Sequence, residues 1–111
     1  MAEKNFIITS TVAANSQDII EHPMAIPSGK LWVIRKFGAA DINLGDSKST
    51  VYVLRFGTEI LRIISVTGNT YEPDFRFELT GDGSSKINVV RQNKSGFEKI
   101  CPFWVSAFSK D

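Results

Sequence analysis

Short runs of β-branched and aromatic residues alternate with turn residues along the whole chain. Val, Ile, Phe and Thr dominate the runs, and these side chains suit the pleated surface of a sheet. The breaks between them contain Gly, Asn and Asp, which supply the positive φ values of tight turns. This pattern predicts an all-β fold of about eight antiparallel strands. The runs occupy residues 5–12, 17–22, 30–37, 49–56, 59–66, 74–80, 86–92 and 99–108.

The clearest alternation of apolar and polar positions lies in "DFRFELT" (74–80). Phe75, Phe77 and Leu79 are expected on one side of this strand, with the polar residues between them on the other. An antiparallel strand with one face in the core and one in water has this pattern. The sequence therefore favours a jelly-roll-like sandwich, and the alternatives are an immunoglobulin-like sandwich and an OB-like barrel.

Three runs carry apolar residues on both faces, namely "LWVIRKF" (31–37), "TVYVLRF" (50–56) and "ILRIISV" (60–66). Either strand edges and loops cover the second face, or a second copy does, because obligate homo-oligomer interfaces resemble a core cut in half. Arginines, which are enriched at interfaces, lie in the same runs. We predict a homo-oligomer, with a trimer favoured over a dimer. The predicted interface residues are Trp32, Ile34, Arg35, Tyr52, Leu54, Arg55, Leu61, Arg62 and Ile63.

Length and composition narrow the class of protein further. A chain of 111 residues predicts a single domain, 1–111. Lys and Arg number 13 against 12 Asp and Glu, and a net charge of +1 argues against a nucleic-acid partner. No apolar stretch reaches the length of a signal-peptide core or a membrane span. We therefore expect synthesis in the cytosol and no membrane partner.

Residues that carry chemistry are sparse. The only histidine is His22 and the only cysteine is Cys101, which lies among apolar neighbours and is expected to be buried. We therefore predict a protein that is not an enzyme and has no cofactor. Weak calcium candidates exist, because oxygen ligands suit Ca²⁺, although the same residue types favour turns. These candidates are Asp41, Asn43, Asp46 and Asp82.

Exposed aromatic side chains raise the alternative of a carbohydrate-binding module. Sugar-binding sandwiches stack the ligand on aromatic faces flanked by polar side chains. Tyr71, in the loop-like "GNTYEPD" (68–74), and Trp104 are the candidate glycan contacts.

The segment "IPSGKLWVIRKFGA" (26–39) resembles one that recurs in small β-sandwich structural proteins of bacteriophages and related viruses. In those proteins a Pro-x-Gly-Lys turn leads into a strand that holds an aromatic residue, and a further strand ends the chain, here "CPFWVSAFSKD" (101–111). The resemblance implies a self-assembling virion component: a head decoration, fibre or tail-associated protein. It implies other virion proteins or surface glycans as further partners, and no catalytic residues.

Overall fold

A computed structural model describes residues 2–41 and 48–110. Within these residues the regular structure consists of antiparallel β-strands, which confirms the predicted all-β class. The strands are β1 (Phe6–Ile8), β2 (Thr11–Val12), β3 (Ser16–Glu21), β4 (Leu31–Ala40), β5 (Thr50–Phe56), β6 (Glu59–Val66), β7 (Thr70–Tyr71), β8 (Phe77–Thr80), β9 (Ile87–Asn93), β10 (Lys99–Ile100) and β11 (Phe103–Ser109).

The strands form two main sheets and a small ribbon. Sheet 1 has the order β1-β11-β4-β7, and β8 also pairs with β4. Sheet 2 has the order β3-β9-β5-β6, and β10 pairs with β2 in the ribbon. Buried side chains from both sheets meet in one hydrophobic core, which gives a β-sandwich.

Two predicted runs are each split into a pair of strands. The first divides into β1 and β2 and the last into β10 and β11, where Pro102 has no N–H to give to a ladder. Arg91 binds at both breaks, because its Nη1 donates to the carbonyl oxygens of Ser10 and Cys101, both at 2.8 Å. The same guanidinium pairs with Asp18 at 2.7 Å. One buried side chain thus binds carbonyl groups at both breaks, and the Ser10 carbonyl also accepts a hydrogen bond from the N–H of Cys101 at 3.2 Å.

A β-bulge changes the alternation of faces along β4. The register against β11 shifts between Ile34 and Lys36, which leaves Arg35 as an extra residue. Trp32, Ile34 and Phe37 therefore all face the core. The interface prediction for Trp32 and Ile34 is wrong, since these side chains are 2% and 0% exposed within a single chain.

A second bulge changes the alternation in β6. Leu54 pairs with Arg62, while the next residue of β5 pairs with Ile60, so Leu61 is the extra residue. Leu61 is partly buried and packs against the core, on the opposite side from Ile63. Tyr52 and Leu54 are also core residues, both 0% exposed. The large side chains of β5 face inward, and the smaller valines between them face outward.

The turn that precedes β4 is held by close backbone contacts. Gly29 has φ of 75°, which a glycine adopts without strain. Its N–H donates to the carbonyl of Gly81, and the N–H of Gly81 donates to the carbonyl of Lys30 at 2.7 Å. A Cβ at Gly81 would lie 2.0 Å from the carbonyl oxygen of Pro27, so the two segments meet at a distance only glycine allows.

His22 is a buried titratable group between two aromatic rings. Its Nδ1 accepts a hydrogen bond from the N–H of Met24 at 3.1 Å. Its ring makes edge contacts with Phe6 and Trp32 at centroid distances of 5.6 and 5.2 Å. Burial lowers the pKa of His22 below its ordinary value of 6.5.

This lowered pKa predicts a stability that falls with acidification. Below about pH 6.5 the unfolded chain takes up the His22 proton more readily than the folded chain, so the free energy of unfolding decreases toward the folded-state pKa. Urea unfolding at intervals from pH 7.5 to 5.5 measures the slope. The variant His22→Gln should lose this slope. An equal slope in both proteins would show that His22 is not the source of the pH dependence.

Candidate functional site

An aliphatic row crosses all four strands of sheet 2 on the face turned away from the core. Strand register places Ile19 of β3 opposite Val90 of β9, Val90 opposite Val53 of β5, and Val53 opposite Ile63 of β6. Directly paired residues point to the same face of a sheet. These four side chains, the aliphatic row, therefore form a continuous apolar band across the sheet.

Exposure distinguishes this face from the rest of the surface. Ile19, Ile60 and Ile63 are 53%, 57% and 56% exposed. In residues 2–41 and 48–110, Ile7 is the one other large hydrophobic residue that is more than half exposed. Single exposed apolar residues are ordinary, whereas a cluster on one face indicates an interaction surface. The outer face of sheet 2 is thus the candidate functional site.

Polar side chains flank the aliphatic row on both sides. Gln17 and Gln92 pair on one side, with an amide hydrogen bond of 3.3 Å. Glu21, Asn88 and Arg55 follow one another across the strands on the other side. An apolar centre with a polar rim is the usual arrangement of a protein–protein interface.

The structure divides the remaining predicted interface residues between the two sheets. Ile63 and Arg55 lie on the outer face of sheet 2, and Arg62 lies on β6 opposite Leu54. Arg35 belongs to sheet 1, where it pairs with Glu3 at 2.8 Å. Of the predicted residues, Ile63 and Arg55 therefore lie together on the outer face of sheet 2.

Sequence reasoning missed Ile19, Ile60 and Val90. A signal was present for the first of them, because Ile19 and Ile20 are adjacent in β3 and only one of two neighbours in a strand can face the core. Ile20 packs against the core, and Ile19 faces outward.

The two candidate glycan contacts lie on opposite faces of sheet 1. Tyr71 pairs with Ala39, whose side chain is in the core, so Tyr71 lies on the inner side of the sheet edge. Trp104 pairs with Gly38 on the outer face, and its indole N–H donates to Glu72. The ring occupies the space that a side chain at Gly38 would need. The two aromatic residues do not form a shared platform.

The described calcium candidates are engaged in contacts within the chain. Asp41 is 1% exposed and pairs with Lys99 at 3.0 Å. Asp82 accepts hydrogen bonds from Ser85 and Ser84, which lower its pKa to about 2. Asn43 and Asp46 lie outside the described residues. No group of three or more His, Cys, Asp or Glu positioned to hold a metal occurs in the described parts of the chain.

Cys101 is fully buried, as the sequence predicts. Desolvation raises the pKa of its thiol, so the reactive thiolate is disfavoured.

No helix in the described ranges has the length and apolarity to cross a membrane.

Comparison with known proteins identifies the fold. No protein-family model matches the chain. No curated protein matches it either. A subunit of the Bacillus endospore appendages, described as disulfide-linked pili, is 14% identical, with 98% of this chain and 88% of that chain covered and a TM-score of 0.54.

Two further solved structures are similar over most of this chain. Dimeric latent PorU from Porphyromonas gingivalis is 10% identical and has a TM-score of 0.50, with 99% of this chain but 13% of that chain covered. The C-terminal CBM6 of the laminarinase LamC from Zobellia galactanivorans is 11% identical over 89% of this chain and 99% of that chain, with a TM-score of 0.41. The likenesses to the appendage subunit and PorU place the chain in the class of all-β sandwich proteins.

Proposed function

We propose that this protein is a non-enzymatic structural subunit that assembles with copies of itself through the outer face of sheet 2. The observation that carries the proposal is the aliphatic row, which extends from Ile19 to Ile63 across all four strands. Full burial of an exposed Ile side chain is worth about 1.5–3 kcal/mol, and Ile19 and Ile63, which are 53% and 56% exposed, gain roughly half of that each. A face with two half-exposed isoleucines at its ends and valines between them therefore gains from a second apolar surface.

The aliphatic row is suited to pack against the same row of a second copy. In a two-fold contact with its axis along the strands, Ile19 of one copy meets Ile63 of the other, and the valines meet in the middle. Sheets pack face to face in this way about 10 Å apart in sandwiches. A trimer instead requires the face to meet a different surface, so the mass of the assembly distinguishes the two arrangements.

The proposed assembly is non-covalent. Cys101 is fully buried in the fold, so it is not placed to link two chains. The Bacillus appendages are described as disulfide-linked pili, so a protein of this fold is a subunit of a polymer there. For this chain we propose the class that residues 26–39 suggest, a small virion component such as a head decoration, fibre or tail-associated protein.

The carbohydrate-binding alternative stays a prediction. Because Tyr71 and Trp104 lie on opposite faces, a sugar would stack on one of these rings alone. Trp104 is the better placed of the two, since Glu72 fixes its ring through the indole N–H.

Replacing Ile63 with Asp should dissociate the assembly without unfolding the subunit. Ile63 is 56% exposed, so the carboxylate stays solvated in the monomer but would be desolvated in the contact. Light scattering coupled to size-exclusion chromatography should show a monomer of 12.3 kDa for Ile63→Asp. Circular dichroism should retain the β-sheet spectrum.

The matched control is Ile7→Asp, which places the same charge at a 67% exposed position of sheet 1. This variant should keep the mass of the unmodified protein. Dissociation by Ile7→Asp, with no effect of Ile63→Asp, would show that the contact between copies lies on sheet 1 and would contradict the proposal.

A further inference from the structure

A pocket of about 560 Å³ lies where the turn between β5 and β6 meets the start of β9. This volume is in the range of small-molecule sites, about 300–1,000 Å³. The pocket adjoins the polar rim of the outer face of sheet 2. Ile19 belongs both to the lining of the pocket and to the aliphatic row. Its other functional lining groups are Glu21, Arg55, Thr58, Lys86 and Asn88.

Arg55 is held in a fixed orientation by a buried amide. Its Nε donates to Oδ1 of Asn88 at 2.8 Å. Asn88 is 3% exposed, and its Nδ2 donates to the backbone carbonyls of Gly57 and Lys86 at 2.9 and 3.3 Å. Both ends of the amide are therefore used, which fixes its orientation and that of the guanidinium it holds.

Both terminal nitrogens of Arg55 are open for a ligand. In the ranges 2–41 and 48–110 they have no hydrogen-bond acceptor, and no carboxylate oxygen lies within 4.0 Å of them. By contrast, Arg35 and Arg91 each pair with a carboxylate within the chain. A planar guanidinium with two parallel N–H groups free matches the two oxygens of a carboxylate.

The other lining groups define the rest of the ligand. Lys86 adds a second cation, and Glu21 adds the single carboxylate of the lining, so the pocket keeps an excess of one positive charge. Glu21 can accept hydrogen bonds from hydroxyl groups, and Thr58 can donate or accept. Ile19 supplies an apolar wall. Ser85 donates to Asp82 at 2.6 Å, so its hydroxyl proton is already used.

We propose that this pocket binds a uronic acid, a sugar that combines one carboxylate with several hydroxyl groups. The carboxylate pairs with the two terminal nitrogens of Arg55. Ring hydroxyls donate to Glu21 and accept from Lys86 and Thr58, and the C–H face of the ring packs against Ile19. This inference goes beyond self-assembly: the pocket and the proposed contact between copies share Ile19, so ligand and second copy compete for this face, and ligand binding and oligomeric mass are measured separately.

Titration of the ¹⁵N-labelled protein with glucuronate tests the proposal. Shifts should concentrate at the backbone amides around Gly57, Lys86 and Asn88, and glucose, which lacks the carboxylate, should bind at least tenfold more weakly. This comparison uses the unmodified protein and so does not depend on the folding of a variant. Equal shifts by glucose and glucuronate, or none by either, would overturn the proposal.

Variants locate the binding group. Arg55→Gln should weaken glucuronate binding at least tenfold, and Arg55→Lys should also weaken it, because Lys keeps the charge but loses the fork. Arg62→Gln on β6 is the matched control and should bind as the unmodified protein does. If Arg55→Gln leaves the affinity unchanged, Arg55 is not the carboxylate ligand. If Arg55→Gln lowers the oligomeric mass and glucuronate does not bind the unmodified protein, Arg55 serves the contact between copies and the proposal is overturned.

Discussion

Replacing Lys99 with Met is expected to lower the free energy of unfolding by about 3–5 kcal/mol, the usual loss when one partner of a buried ion pair is removed. Lys99 Nζ lies 3.0 Å from Oδ2 of Asp41, and the two side chains are 2% and 0% exposed. Thr50 also contacts this carboxylate, at 3.4 Å. Without the ammonium, the carboxylate of Asp41 loses the cation that lies 3.0 Å from it in the core, where weaker pairing of a charge is strongly unfavourable.

Urea unfolding at pH 7 measures this loss, and Lys110→Met is its control. Lys110 pairs with Glu78 at 2.9 Å, but these side chains are 50% and 51% exposed. Exposed ion pairs contribute about 0–1 kcal/mol, so Lys110→Met should change stability little. Equal losses in the two variants would show that the buried Lys99–Asp41 pair contributes no more to the free energy of unfolding than an exposed pair does.

Replacing Gly81 with Ala is expected to lower the free energy of unfolding by about 3 kcal/mol, at the upper end of overpacking effects. The added Cβ would lie 2.0 Å from the carbonyl oxygen of Pro27 and 2.7 Å from that of Ile26. Both atoms belong to the backbone, so no side-chain rotation relieves the contact. The turn that leads into β4 must move, and the hydrogen bonds joining Gly81 to Gly29 and Lys30 are lost with it.

Gly96→Ala is the control for this substitution, measured by thermal unfolding of both variants. No atom lies within 4 Å of a Cβ at Gly96, and its φ is not in the left-handed region. Ala at such a position is neutral or stabilises by about 0.4–1 kcal/mol, because it restricts the unfolded chain. If Gly81→Ala melts at the temperature of Gly96→Ala, the close approach at Gly81 is not a constraint on the fold.

Local sequence patterns were sufficient to predict the fold class. β-branched runs and turn residues placed most strands within a few residues, and the turn at residues 27–29 was found from Pro and Gly. The two bulges were not predictable in this way, because one extra residue reverses the alternation without any change of composition. Arg35 and Leu61 are those extra residues, and the faces of β4 and β6 were misassigned on their account.

The candidate face was only partly accessible from the sequence. Ile63 and Arg55 were predicted, but in β5 the prediction placed Tyr52 and Leu54 at the interface, whereas both are core residues. The aliphatic row joins residues as distant as Ile19 and Val90, which only strand register brings together. The pair Lys99–Asp41 is hidden from sequence reasoning for the same reason.

Sedimentation equilibrium of the unmodified protein, from low to high micromolar concentration, tests the central claim most directly. Self-assembly through the outer face of sheet 2 predicts an average mass above 12.3 kDa. This average should rise with concentration toward the mass of the complete assembly, which is a whole multiple of 12.3 kDa. A mass of 12.3 kDa at every concentration would contradict the claim.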